Sequence, residues 1–264
     1  MNYLEALILG IIQGLTEFLP VSSSGHLEIG KAILGVEAKD SLTFTVAVHG
    51  ATVLSTIVVF WKEIVQLIKG VFQFQWNTET QYVSKIAVSL IPIAIIGVFF
   101  KEQVETLFDG NILLVGFMLL LTGLLLSFTY FSKSNVRSIN FKDAFIIGLT
   151  QAIAVLPGLS RSGTTIATGL MLGNSRDEVA KFSFLMVLVP IIGANLVDLV
   201  GSDLSSDQSI STTALAIGFV AAFIFGLLAC KLMIDLVKRS KLIYFAIYCF
   251  LIGSIAIGYS LFFV

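Results

Sequence analysis

Long apolar runs alternate with short polar breaks along all 264 residues. Six runs, about 42–61, 82–100, 111–131, 178–200, 212–236 and 242–263, are near the ~20 residues that a helix needs to cross a bilayer. Two further stretches, about 3–35 and 141–173, are apolar at both ends but cut in the middle by Pro, Gly and Ser. After its cut, segment 164–172 rises only about 14 Å as a helix, against a hydrocarbon core of roughly 30 Å. The pattern therefore predicts two re-entrant helix–loop–helix hairpins. Irregular backbone at membrane depth must be buried in protein or face a water-filled cavity.

The two cuts are copies of one another. Shifting the chain by 138 positions superposes Gly10 on Gly148, Gln13 on Gln151, Ser22 on Ser160, Ser24 on Ser162 and Gly25 on Gly163 without a gap. The same shift sets Phe44 against Phe182. Each half then reads as one hairpin followed by three spans, with halves at about 1–131 and 139–264. Three crossings is an odd number, so the second half is inverted relative to the first. An inverted repeat of this kind places its site at the repeat interface near the midplane. The expected fold is an all-α polytopic membrane protein of six transmembrane helices and two re-entrant hairpins.

Composition agrees with this pattern. The chain is 56% hydrophobic and 12% charged, where a soluble domain carries about 25% charged residues. The net charge of −1 gives no reason to expect nucleic acid as a partner. Cys230 and Cys249 lie inside apolar runs and read as core residues rather than a disulfide or metal site. Glu5 stands where a cleavable signal would carry its basic region. The predicted topology puts twelve basic residues, from Lys62 to Lys241, on one side and only Lys31, Lys39 and Lys101 on the other. The poor side also holds Glu102, Glu105, Asp109, Asp203 and Asp207. By the positive-inside rule the rich side is cytoplasmic and both termini lie outside.

The two copies differ where chemistry differs: Glu17 faces Val155, Ser23 faces Arg161 and His26 faces Thr164. An arginine within an apolar segment costs at least about 2.5–3.5 kcal/mol unless solvated or paired, so Arg161 reads as an anion clamp. Its forked donors suit phosphate. Gly158 and Gly163 let backbone N–H groups turn inward, and a helix restarting near Gly163 aims its positive end at the loop. Glu17 lies one helical turn from Gln13; it reads as a partner to Arg161, a general base, or a ligand to a phosphate-bound cation. A lone carboxylate is a thin magnesium site. His26 ends the hydroxyl-rich loop Ser22-Ser23-Ser24, as suits nucleophilic catalysis or proton donation to a leaving group. His49 reads equally as a cavity residue or a satisfied core histidine.

These residues resemble the undecaprenyl-diphosphate phosphatases of bacteria, the BacA or UppP family. The resemblance rests on Gln13-Gly-Leu-Thr-Glu17, on Pro20-Val-Ser22-Ser23-Ser24-Gly25-His26, and on Pro157-Gly158-Leu-Ser160-Arg161-Ser162-Gly163-Thr164-Thr165. It covers nearly the whole chain. It implies hydrolysis of undecaprenyl diphosphate to the monophosphate and inorganic phosphate at the outer face of the inner membrane. Such hydrolysis recycles the lipid carrier for cell-wall synthesis and is associated with bacitracin resistance. By motif match, Glu17, Ser23, His26 and Arg161 form the catalytic group. Gln13, Ser22, Ser24, Ser160, Ser162, Gly163 and Thr165 surround the phosphates. The implied cofactor is magnesium or calcium carried by the substrate, with Glu17 as its protein contact. Gln13 stands where many members have a second glutamate, which weakens a two-carboxylate cation site. The sequence is compatible with a homodimer.

The nucleophile stays open at this level among Ser23, His26 and a water molecule. A second functional class is a polyprenyl-phosphate transporter or flippase, because inverted repeats with broken helices are a transporter architecture. An acid-phosphatase-like lipid phosphatase is disfavoured, since the Ser160-Arg161 segment lacks the downstream histidine that family requires.

Overall fold

A computed structural model describes residues 1–36, 41–108, 111–132, 137–201 and 210–263. The described residues are helical throughout, apart from turns and one isolated bridge between Arg137 and Asn174. In chain order the helices are α1 (Tyr3–Phe18), α2 (Ser23–Leu34), α3 (Ser41–Val59), α4 (Trp61–Val71), α5 (Thr78–Phe99), α6 (Lys101–Glu105), α7 (Ile112–Phe128), α8 (Phe141–Ile153), α9 (Arg161–Met171), α10 (Arg176–Gly201), α11 (Thr212–Lys238) and α12 (Ile243–Phe263). The expected charges at Lys39, Asp109, Lys133, Asp203 and Asp207 lie outside the described residues.

Among the described residues, four helices are long and apolar enough to cross a membrane: α5, α7 with its extension to Phe131, α11 and α12. A fifth crossing is present if α3 and α4, bent by 76° at Phe60, are counted as one broken span. The chain is thus a multi-pass membrane protein. The bend was not legible as a gap in the apolar run. It follows from α4, which puts Lys62, Glu63, Gln66 and Lys69 on one stripe, whereas α3 carries no Lys, Arg, Asp or Glu. A helix with one strongly polar face suits an interface better than a bilayer core.

Both interrupted stretches form a helix, a break and a second helix, α1–α2 and α8–α9. Their starts match at the same shift of 138. Asn2 caps α1 and exchanges hydrogen bonds with Glu5; Asn140 caps α8 and exchanges them with Asp143. Each box satisfies N–H groups that the first helical turn leaves without partners. The second helices also start alike. Ser22 Oγ accepts from the Gly25 N–H, and Ser160 Oγ accepts from the Gly163 N–H.

The packing partners exchange between the halves. α1 packs on α11 and α8 packs on α5, while α3 meets α10 and α7 meets α12. Gly10 sits against the Gly218 backbone and Gly148 against the Ser89 backbone, so close that a Cβ at either would overlap a carbonyl oxygen. Phe44 and Phe182 are both fully buried. With lipid as apolar as leucine, close approach through small residues is a main source of helix association in membranes.

Candidate active site

The breaks after α1 and α8 meet in the interior. A Cβ added at Gly25 would lie 3.0 Å from Gly158 Cα, and one at Gly163 would lie 3.1 Å from Pro20 Cβ. Helices from elsewhere in the fold hold each break. The Thr122 hydroxyl of α7 accepts from the Ser160 N–H at 3.1 Å, and Cys249 of α12 touches the Pro20 carbonyl at 3.7 Å. Gly158 has φ +92°, a conformation that disfavours side chains, and a Cβ there would run into the Val115 carbonyl. The loops also differ in backbone at the serine that caps the second helix. Ser160 has an ordinary extended conformation, but Ser22 has φ 69° and ψ 100°. A non-glycine residue in that region is strained, and such residues cluster at functional sites. The strained Ser22 directly precedes Ser23, the first residue of α2.

Glu17 is the hub. Ser23 Oγ donates to Glu17 Oε2 at 2.5 Å, and Gln13 Nε2 donates to the same oxygen at 3.0 Å. Arg161 donates to Oε1 at 3.1 Å, across 144 positions of sequence. Glu17, Ser23 and Arg161 line a cavity of about 310 Å³ together with Ser22, Ser24, Ser160 and Ser162. The N-terminal ends of α2 and α9 both reach this cavity, so two positive helix ends and one guanidinium face it. Lys31 and Val104 also line it. Both belong to segments that the charge pattern assigns to the basic-poor side.

Three other expected site residues lie behind the wall. Gln13 is fully buried beneath Glu17. The Thr165 hydroxyl donates to the carbonyls of Arg161 and Ser162, and Gly163 packs on Pro20. They shape the cradle rather than line it.

His26 is brought together with a different partner from the one expected. Its Nδ1 lies 2.8 Å from the Ser22 carbonyl, which only accepts, so Nδ1 carries the proton. The Tyr248 hydroxyl of α12 then donates to Nε2 at 2.8 Å, and the two rings stack with centroids 5.5 Å apart. His26 is not among the cavity-lining residues. His49 is: its Nε2 stands 3.8 Å from Glu17 Oε2 and its Nδ1 lies 2.8 Å from the Thr45 carbonyl. Thr45, His49, Thr52 and Thr56 all line the cavity, at the 4-3-4 spacing of one helix face. That polar stripe through an otherwise apolar helix is the sequence signal that marks α3 as a cavity wall. Tyr248 carried no such signal.

The donors described around the cavity do not fit a resident metal centre. Among the described residues no group of three or more His, Cys, Asp or Glu side chains could hold an ion. Glu17 is a single carboxylate whose two oxygens are already engaged by Ser23, Gln13 and Arg161.

Comparison with known proteins gives the lineage. The profile of the family described as bacitracin resistance protein BacA matches residues 6–255. The undecaprenyl-diphosphatase of Parabacteroides distasonis is 57% identical over 266 aligned residues, covering 99% of each chain. That of Bacteroides thetaiotaomicron is 58% identical, covering 96% of this chain and 97% of its own. Similarity extends to the undecaprenyl-diphosphatase of Methanosphaera stadtmanae, 38% identical over 97% of this chain and 98% of its own. With 99% of its length aligned and both loop motifs meeting around one cavity, the chain belongs to the bacitracin resistance protein BacA family.

Proposed function

We propose that the chain is a membrane phosphatase that hydrolyses undecaprenyl diphosphate to undecaprenyl phosphate and inorganic phosphate. The work of its relatives supports this, and so does one observation above all: a serine and an arginine grip opposite oxygens of one buried carboxylate. In this reading Arg161 and the N–H groups of the α2 and α9 starts hold the diphosphate. Phosphoryl transfer depends mainly on positioning and on neutralising charge. Ser23 attacks the terminal phosphorus, Glu17 takes the serine proton, and the phosphoserine is then hydrolysed. Ser22, Ser24, Ser160 and Ser162 supply further donors, with Gln13, Gly163 and Thr165 supporting them from behind. His26 positions the first turn of α2 through Ser22 and Tyr248. A magnesium or calcium ion would be held by the substrate phosphates, whose charge it would help to neutralise.

The same reading gives six membrane spans (α3, α5, α7, α10, α11 and α12) and two re-entrant hairpins, α1–α2 and α8–α9. Two inverted halves at about 1–131 and 139–264 relate them. The exchange of packing partners between halves and the twin capping boxes support that arrangement. The cavity opens toward the basic-poor face, which is outside, and both termini lie on that face. Recycling of the lipid carrier and bacitracin resistance follow from this placement.

A flippase for the lipid phosphate is the competing reading, favoured by two broken helices meeting in one interior. It leaves the 2.5 Å contact between Ser23 and Glu17 without a purpose. The deciding experiment is phosphate release from a polyprenyl diphosphate by protein purified in detergent, with Ser23→Ala and Arg161→Ala alongside. The phosphatase reading expects hydrolysis by wild type and its loss in both variants. Well-folded wild type without hydrolysis favours the flippase.

A further inference from the structure

We infer that His49 is the second proton-transfer group of this site, acting on the oxygen that leaves with the lipid and later on the water that replaces it. The inference rests on the serine reading above and adds a residue to it.

Transfer through a phosphoserine needs two proton-handling groups, one for the serine and one for the oxygen opposite. Glu17 is committed to the first by its hydrogen bond from Ser23. Gln13 does not titrate. Glu28 lines the cavity but is paired with Lys31 at 3.1 Å, and His26 faces Tyr248. The remaining side chain on the cavity wall with a ring nitrogen free to take up and give back a proton is His49.

Its geometry suits the task. The Thr45 carbonyl only accepts, so Nδ1 carries a fixed proton and the ring is oriented. Nε2 is left as the working atom. At 3.8 Å from Glu17 Oε2 it lies beyond hydrogen-bond reach of the carboxylate. Nε2 is therefore not tied up by the carboxylate and can serve an oxygen that enters the cavity to one side of that gap.

In the first step the Ser23 Oγ–P bond forms and the bridging P–O bond breaks. The serine proton passes to Glu17, and the lipid phosphate leaves with a proton from His49 Nε2. In the second step a water O–P bond forms and the Oγ–P bond breaks. The water proton returns to His49, and Glu17 returns its proton to Ser23. Both groups end as they began, and one water is consumed. Water is the poorer nucleophile and depends on proton removal more than lipid phosphate departure depends on proton gain. Loss of His49 therefore falls mainly on the second step.

The test uses full-length protein in detergent and a polyprenyl diphosphate. His49→Gln is expected to lower steady-state phosphate release about 10²-fold or more. Rapid mixing should still show a burst of lipid monophosphate near one per protein, and an alkali-labile phosphoserine should accumulate. The burst also shows that the variant is folded. Imidazole in the buffer should restore turnover to His49→Gly. Turnover of His49→Gln within about threefold of wild type overturns the inference, as does a slow His49→Gln with no burst together with a His49→Gly that imidazole does not rescue. Imidazole rescue without any phosphoserine would keep the role of His49 and remove the serine intermediate instead.

Discussion

The Ser23 hydroxyl donates to Glu17 Oε2 at 2.5 Å while Arg161 occupies Oε1 of the same carboxylate at 3.1 Å. One carboxylate thus joins a candidate nucleophile on the first loop to the cation on the second. In the proposed reading an incoming phosphate competes with Glu17 for Arg161. As the guanidinium turns to the substrate, the carboxylate gives up its counter-charge and becomes a better proton acceptor for Ser23.

Glu17→Gln tests that role with little change of shape. The amide still binds Ser23 but takes no proton. Steady-state phosphate release should fall by about 10²–10⁴-fold, the usual worth of a positioned general base. Substrate KM should change far less, because the amide also leaves Arg161 free for phosphate. A fall in affinity with kcat preserved would make Glu17 a structural partner only.

Manganese in place of magnesium provides a test of where the ion resides. Electron paramagnetic resonance of Mn²⁺ should show no protein-bound ion at micromolar protein without substrate. A bound signal should emerge when a polyprenyl diphosphate is added, since the phosphates supply the missing oxygens. A tight signal from protein alone would restore a resident metal centre.

Tyr248→Phe removes the hydroxyl that donates to His26 Nε2 and keeps the stacked ring. One hydrogen bond of this kind is worth about 0.5–1.5 kcal/mol net. The variant should melt a few degrees lower in detergent and retain most of its turnover. Loss of turnover comparable to that of Glu17→Gln would instead place His26 in the chemistry.

Gly148→Ala should be among the more damaging small substitutions outside the cavity. The new methyl overlaps the Ser89 carbonyl of α5, and overpacking of this kind costs about 1–3 kcal/mol. Gly97, at the far end of α5, has nothing within 4 Å of the position a Cβ would take, so Gly97→Ala should be neutral or slightly stabilising. Thermal melting of both variants in the same detergent gives the comparison. Equal melting temperatures would mean that α8 and α5 do not pack this closely.

Much of the architecture was legible in the chain because it depends on local properties. Apolar runs near 20 residues predict the positions of α5, α7, α11 and α12, and Pro, Gly and Ser predict the two breaks. The twin capping boxes at Asn2 and Asn140 were equally open to reading, being fixed by spacing alone. The amphipathic α4 was hidden because it continues an apolar run without a helix breaker.

The repeat at a shift of 138, and with it the pairing of Glu17 and Ser23 on one loop with Arg161 on the other, was determined by the sequence itself. Which imidazole faces that pair was decided only by tertiary packing. His26 is three residues from Ser23, yet its ring turns to the Ser22 carbonyl and to Tyr248, 222 positions away. His49 stands in another helix and reaches Glu17 because α3 walls the cavity. Sequence spacing sets which residues share a face of one helix. The polar stripe of Thr45, His49, Thr52 and Thr56 marks one face of α3, but which residues that face meets depends on how distant helices pack.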